Sequence, residues 1–298
     1  MTRSEYYISL PGNIIIGITS TIELDLAEKE LYLGAYLPNA KILNRHAIAP
    51  HITLHHIESS DRRLTIGKDE IELHDEWRNS FPDDLPHLLY SIARTLWIPR
   101  GYYPTHSTCI GKKDDFTLLL GHSGMGKSTI TLELVRQFNY KMLSGNNTLI
   151  HFTESSGIQA VAGTQIMTLK TKDFEQAEYK TKRSFIYGDR IAFELADDQQ
   201  SQCPQNIGKI ALVRLSDGVK TWSRLSPLSA VHTSYPYILD TIHADCIVAG
   251  GNAIYIGDAS PDSRIHLANM LTQTLTTIPV NNGVGSVTFL TEKIGGQV

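Results

Sequence analysis

The sequence predicts an α/β protein of mixed α+β character, and three observations predict it. A phosphate-binding loop sits between an apolar run and an amphipathic stretch; apolar runs alternate with helices from about residue 99 onward; and short strand-like segments fill the first 98 residues. The expected organisation is a smaller β-rich domain over residues 1–98, ending in an amphipathic helix, followed by a phosphate-loop nucleotide-binding domain over 99–298.

In the first part, the runs from Asn13 to Ile18, Glu30 to Leu37, His51 to Ile57 and Ile66 to Leu73 read as strands separated by turn residues. Leu85, Leu88, Leu89, Ile92 and Leu96 then fall on one helical face, with Asp84 as cap, Pro86 in the first turn and an end near Pro99. A strand carrying His106 comes next, followed by buried strands at Phe116–Leu120, Ile210–Val213, Cys246–Ala249 and Ile254–Ile256. A last helix is expected from Ser260-Pro261, burying Ile265, Ala268, Leu271, Leu275 and Ile278. The segment 196–202 reads as an exposed polar loop.

The most informative segment is Gly121-His122-Ser123-Gly124-Met125-Gly126-Lys127-Ser128, which matches G-x-x-x-x-G-K-S and is followed by Thr129. A polyphosphate carries several negative charges. The loop meets them with consecutive backbone N–H groups, the Lys127 ammonium and the N-terminus of a helix, and the Ser128 hydroxyl can ligate Mg²⁺. Phe116–Leu120 before the loop supplies the strand, and Ile130, Leu134 and Phe138 behind it mark the apolar stripe of the helix. ATP or GTP with magnesium is the expected ligand.

Composition narrows the partners. A formal charge of -4 carries no basic footprint, which argues against nucleic acid. Three widely spaced cysteines, Cys109, Cys203 and Cys246, fit a reducing compartment without a disulfide framework. No apolar stretch approaches the ~20 residues of a membrane helix, so no membrane association and a cytoplasmic location are expected. His51, His55 and His56 cluster in sequence but read as ordinary strand positions rather than metal ligands.

The order of a His-Ser strand (His106-Ser107), the loop Gly121 to Thr129, a helix, and the polar pair Asn146-Asn147 entering an aliphatic strand resembles the catalytic domain of HPr kinase/phosphorylase and its looser relatives. These share their phosphate-loop core with ATP-dependent phosphoenolpyruvate carboxykinases. The resemblance is strongest over residues 100–170. It implies an ATP-dependent kinase that phosphorylates a hydroxyl, for instance a serine, of a peptide, protein or small metabolite, and a homo-oligomer by analogy with relatives.

Carried over, His106 is the active-site histidine, Lys127 the phosphate-loop lysine, and Asn146 and Asn147 hold the place of a paired aspartate that supplies the base and a metal ligand. Amides can ligate Mg²⁺ through oxygen, as Asn146 would, but cannot take a proton as a carboxylate does. Ala160 and Ala162 likewise stand where the family has a glutamate and an arginine. These departures raise the alternative of a catalytically impaired nucleotide-binding scaffold. Asp217 and Asp258, each after an apolar run, are the other candidates for a metal carboxylate, and Arg183 for a phosphoryl clamp.

Overall fold

The computed structural model describes residues 4–296 except 25, 27–29, 44–48, 62, 77–83, 156, 176–178, 188, 239–245, 250–251 and 256–259. It is a mixed α+β chain built on two large sheets.

The first sheet uses only residues up to Asp75. β1 (Ser4–Leu10) and β2 (Ile14–Ser20) form a hairpin; α1 (Glu30–Tyr36) and β3 (Lys41–Leu43) follow; β4 (Ile52–Glu58), β5 (Arg63–Ile66) and β6 (Glu70–Asp75) complete the order β3-β1-β2-β4-β6-β5. β2, β4 and β6 run parallel, and β5 returns antiparallel along β6. The core residues Ile8, Ile14, Ile16, Ile18, Leu54 and Leu73 pack beneath α2 (Asp84–Trp97), whose Leu85, Leu88, Leu89 and Ile92 are buried as the periodicity predicts.

Two strand expectations are corrected here. The segment expected as a strand from Glu30 to Leu37 is α1: Leu33 and Leu37, four apart, are both buried, and over so few residues apolar spacing fits either period. The run Ile66 to Leu73 is the β5–β6 hairpin, turned at Gly67-Lys68-Asp69.

The second sheet has eight strands. β7 (Tyr102–Lys112), β8 (Asp115–Leu120), β9 (Lys141–Ser144), β10 (Asn147–Phe152), β11 (Ile158–Gly163), β15 (Gln205–Leu215), β16 (Thr221–Arg224) and β19 (Val280–Gly285) give the path β11-β10-β7-β8-β15-β19-β16, with β9 on β7. β8, β15 and β19 are parallel. Between these strands the chain makes α3 (Lys127–Phe138), then β12 (Ile166–Lys170), α4 (Thr171–Glu175), β13 (Thr181–Tyr187) and β14 (Arg190–Leu195), which form a three-stranded antiparallel sheet. α5 (Pro227–Ile238), the pair β17 (Cys246–Ala249) and β18 (Asn252–Tyr255), α6 (Pro261–Thr274) and α7 (Val287–Gly295) complete it.

Helices cover both faces of the eight-stranded sheet. On one, Ile130 and Leu134 of α3 and Leu290 and Ile294 of α7 pack on Ile110, Leu119, Ala211 and Val213. On the same face Leu149 and Ala162 join the core of the first sheet. On the other, α5 and α6 cover Cys109, Leu118, Leu120 and Ile210. Ser260 caps α6 as expected, accepting from Ser263 N–H, but its buried face is Leu267, Leu271, Thr274 and Leu275, and Ile265 is exposed. α6 is not the last helix either: β19 and α7 follow it. No helix among the described residues is long and apolar enough to cross a membrane.

Candidate functional site

The loop from Gly121 to Ser128 leaves β8 and runs into α3, the strand-loop-helix order that its sequence requires. Two of its glycines are dictated by contact with β15. Gly126 has φ +93°, and a methyl group there would lie 2.3 Å from Leu215; at Gly121 it would lie 2.8 Å from the carbonyl oxygen of Val213. Leu215 N–H donates to the Met125 carbonyl at 3.0 Å, tying the loop to the strand beneath. The Lys127 ammonium is buried and donates to the carbonyls of Gly121 (2.6 Å) and His122 (3.2 Å). His122, Ser123, Gly124 and Thr129 are exposed, Met125 and Ser128 half-buried, and a methyl group at Gly124 would meet nothing within 4 Å. An open loop crest over a fixed base, at a helix N-terminus, fits a polyphosphate.

β7 brings His106 and the Asn pair to this loop. Ser107 pairs with Leu120 and His106 with Asn147, so His106 stands opposite Gly121 by continued register. Asn147 is then two strand spacings, about 10 Å, from the first loop glycine. Strand alternation puts Asn147, His106 and Thr108 on one face. It is the α3 face, since Thr108 and Thr131 of α3 share a buried 2.7 Å hydrogen bond between their hydroxyls. On the opposite face Thr105, Ser107, Ser144 and Thr148 bond to one another in a buried hydroxyl network.

The Asn pair makes contacts that its sequence does not announce. Asn146 Nδ2 donates to the Ala35 carbonyl and Asn147 Nδ2 to the Tyr36 carbonyl, each at 2.9 Å. Both carbonyls end α1, where the last turn lacks intrahelical donors. The backbone N–H groups of both asparagines donate to Thr164 Oγ1, also at 2.9 Å. Because a carbonyl only accepts, the amide orientation is fixed. Asn147 Oδ1 is buried and without a hydrogen-bond partner, an arrangement that costs about 1–3 kcal/mol. The Ser128 hydroxyl, half-buried in the first turn of α3, suits a magnesium ion beside the phosphates.

Of the other candidates, Asp217 is exposed two residues beyond Leu215 of β15, the residue that touches the loop, and Asp258 lies outside the described residues. Among the described residues, no three or more His, Cys, Asp or Glu form a metal-sized cluster. His51 Nδ1 accepts from Ile15 N–H, and His55 and His56 share hydrogen bonds with Thr19 and Ser20. Ala160 and Ala162 are wholly buried in different cores, where a charged side chain would be desolvated. Arg183 Nε donates to Glu194 at 2.6 Å. That ion pair lines a cavity of about 450 Å³ with Asn39, Gly163 and Cys203. Burial pushes the Cys203 thiol up to about 12.

Sequence reasoning missed Thr164, the two α1 carbonyls, and Tyr237 of α5, whose ring meets His122 edge-on at 5.2 Å. Backbone carbonyls carry no sequence signal, and α5, with Pro236 inside it, lacks a clear helical stripe. No protein-family model matches the chain, and no curated protein matches it either.

Proposed function

We propose that this chain binds a nucleoside triphosphate with magnesium at Gly121–Thr129 and transfers the γ-phosphoryl group to a hydroxyl of a peptide, protein or small molecule, as an HPr-kinase-like phosphotransferase. The observation that carries this reading is the phosphate loop between β8 and α3 with His106 opposite its first glycine. Lys127 and the loop N–H groups would hold the phosphates, and Ser128 the metal. The bound ion supplies charge neutralisation at the phosphates. His106 would serve as the base that takes the hydroxyl proton on this face.

A second reading, a nucleotide-binding scaffold without transfer, is favoured by one observation: both asparagines spend their N–H groups on α1, and neither supplies a carboxylate. Calorimetry with Mg-ATP and transfer of radiolabelled phosphate to candidate acceptors separate the two. Binding with transfer supports the kinase, and binding with neither transfer nor hydrolysis supports the scaffold. A Lys127→Ala variant that binds Mg-ATP as tightly as the parent sinks both.

A further inference from the structure

We propose that the cavity between α1 and the three-stranded sheet binds a small organic anion, whose oxyanion head meets Arg183 and Lys41 and whose short apolar body lies on Leu37, Ala40 and Ile166. Its walls follow from the register of the sheet. Glu194 of β14 stands directly opposite Ile166 of β12 on one side and Arg183 of β13 on the other, so the three make one row on one face. That face meets α1 closely: Ala35, Ile166 and Ala192 pack together, and a methyl group at Gly34 would lie 3.0 Å from Ile166. The Glu194–Arg183 end of the row borders the cavity of about 450 Å³ instead, with Lys41, Gln165 and Gln202 also on its wall. A second cavity, of about 640 Å³, shares Gln165, Glu194 and Gln202 with the first and adds Lys141, Lys182 and Asp197.

Charge decides the class of ligand. The Glu194 side chain is 7% exposed and accepts from Arg183 Nε at 2.6 Å. Lys182 lies 3.1 Å from Asp197 and 3.9 Å from Glu194. Both carboxylates are thus matched within the walls by one guanidinium and one ammonium. Lys41 and Lys141 are left over, and among the described residues neither has an ion pair. Four cations against two carboxylates leave two positive charges here, on a chain whose formal charge is -4. Cys203 adds no negative charge, because burial pushes its thiol up to about 12. Such a wall draws an anion and repels an amine. A buried ion pair is often no better for stability than apolar side chains of the same volume, but beside a cavity Glu194 holds the Arg183 guanidinium in place, the preorganisation with which arginine recognises carboxylates and phosphates. Gln165 and Gln202 offer hydrogen bonds to an amide or hydroxyl of the ligand. No residue of Gly121–Thr129 lines either cavity, so the site stands apart from the nucleotide reading.

Calorimetry on the whole chain with N-acetyl-leucine and with glycerol 3-phosphate tests the site and tells a carboxylate head from a phosphate head. N-acetyl-leucinamide and glycerol are their uncharged counterparts. At least one of the two anions binds with a Kd below about 1 mM, and its uncharged counterpart binds about ten-fold more weakly or worse. Arg183→Ala weakens the binding by about ten-fold or more and Lys41→Ala by about two- to five-fold. Lys220→Ala, exposed and outside both cavities, leaves it unchanged. In the parent, the bound anion slows amide hydrogen exchange in β12, β13 and β14. Failure of both anions to bind the parent overturns the proposal, as does binding that Arg183→Ala leaves intact or that the uncharged counterparts match. Protection centred on Gly121–Ser128 in place of the small sheet overturns it as well. The exchange map and the uncharged counterparts need no variant, so they decide the matter even where a substitution fails to fold.

Discussion

Leu215 lies directly beneath Gly126, so close that a single methyl group on the glycine would sit 2.3 Å from two of its carbons. The phosphate loop is thus shaped by the strand next to its own, and β15 contributes to the site by crowding it. Gly126→Ala combines this clash with a φ of +93° that an alanine does not readily adopt. We expect it to cost about 1–3 kcal/mol of stability and to abolish Mg-ATP binding. Leu215→Ala in the same background removes the clash but not the backbone strain. Urea unfolding should therefore recover only part of the loss, and calorimetry should still show no binding. Full recovery would mean that the contact alone dictates the glycine.

Arg183 looks in sequence like a phosphoryl clamp, but the structure commits its Nε to Glu194, a buried carboxylate that Lys182 and Gln200 also approach. Arg183→Ala should leave the Mg-ATP dissociation constant within about two-fold. Because the arginine is half-exposed, it should lower stability by no more than about 1 kcal/mol. Glu194→Ala should cost more, since it strips several donors of a shared buried acceptor. A ten-fold loss of nucleotide affinity in Arg183→Ala would return the arginine to the phosphoryl site.

What the sequence revealed follows from where its signals are local. The loop, its strand and its helix are encoded within Phe116–Phe138, and α2 within one amphipathic stretch, so both were legible. α1 was not, because Leu33 and Leu37 satisfy two periodicities at once and only packing on Ile166 and the first sheet decides between them. The three-stranded sheet of β12, β13 and β14 was hidden by its charge and by burial on both faces: Lys170, Lys182, Arg183 and Arg190 crowd the segment, and Ala192 and Glu194 are buried along with Ile191, Phe193 and Leu195, which leaves no alternation to read. The asparagines were legible as a departure from a carboxylate pair but not as a helix cap, since their partners are main-chain carbonyls 111 residues earlier.

Thr108 and Thr131 fasten α3 to β7 through one hydrogen bond that no water reaches. Thr131→Val leaves the Thr108 hydroxyl buried without a partner and should cost about 1–3 kcal/mol. Thr108→Val should cost a similar amount. The double variant removes both polar groups and keeps the shape, so it should be less damaging than the sum of the singles by 0.5 kcal/mol or more, roughly the scale of a contacting pair. Urea denaturation of the four proteins measures the cycle, and strict additivity would show that the hydroxyls do not interact. Because α3 carries Lys127 and Ser128, Thr131→Val should also weaken Mg-ATP binding more than a surface change on the same helix such as Gln137→Ala.

His56 gives the fold a defined acid sensitivity. Desolvation is the largest influence on its imidazole and pulls the pKa below 6.5; the neighbouring Glu58 and Asp75 carboxylates and a backbone hydrogen bond to Asp75 oppose it, and His74 adds to it slightly. Ser20 holds Nδ1 at 2.8 Å. The folded state thus keeps the ring neutral over a pH range in which the unfolded chain already binds a proton. Stability from this group is fully present above 6.5 and falls as pH drops from there toward the lower folded value, because the unfolded state then holds the extra proton. Thermal unfolding followed from pH 8 to pH 5 should show the midpoint decline more steeply in the parent than in His56→Gln, which cannot titrate. Parallel curves for the two proteins would assign the acid sensitivity to other groups.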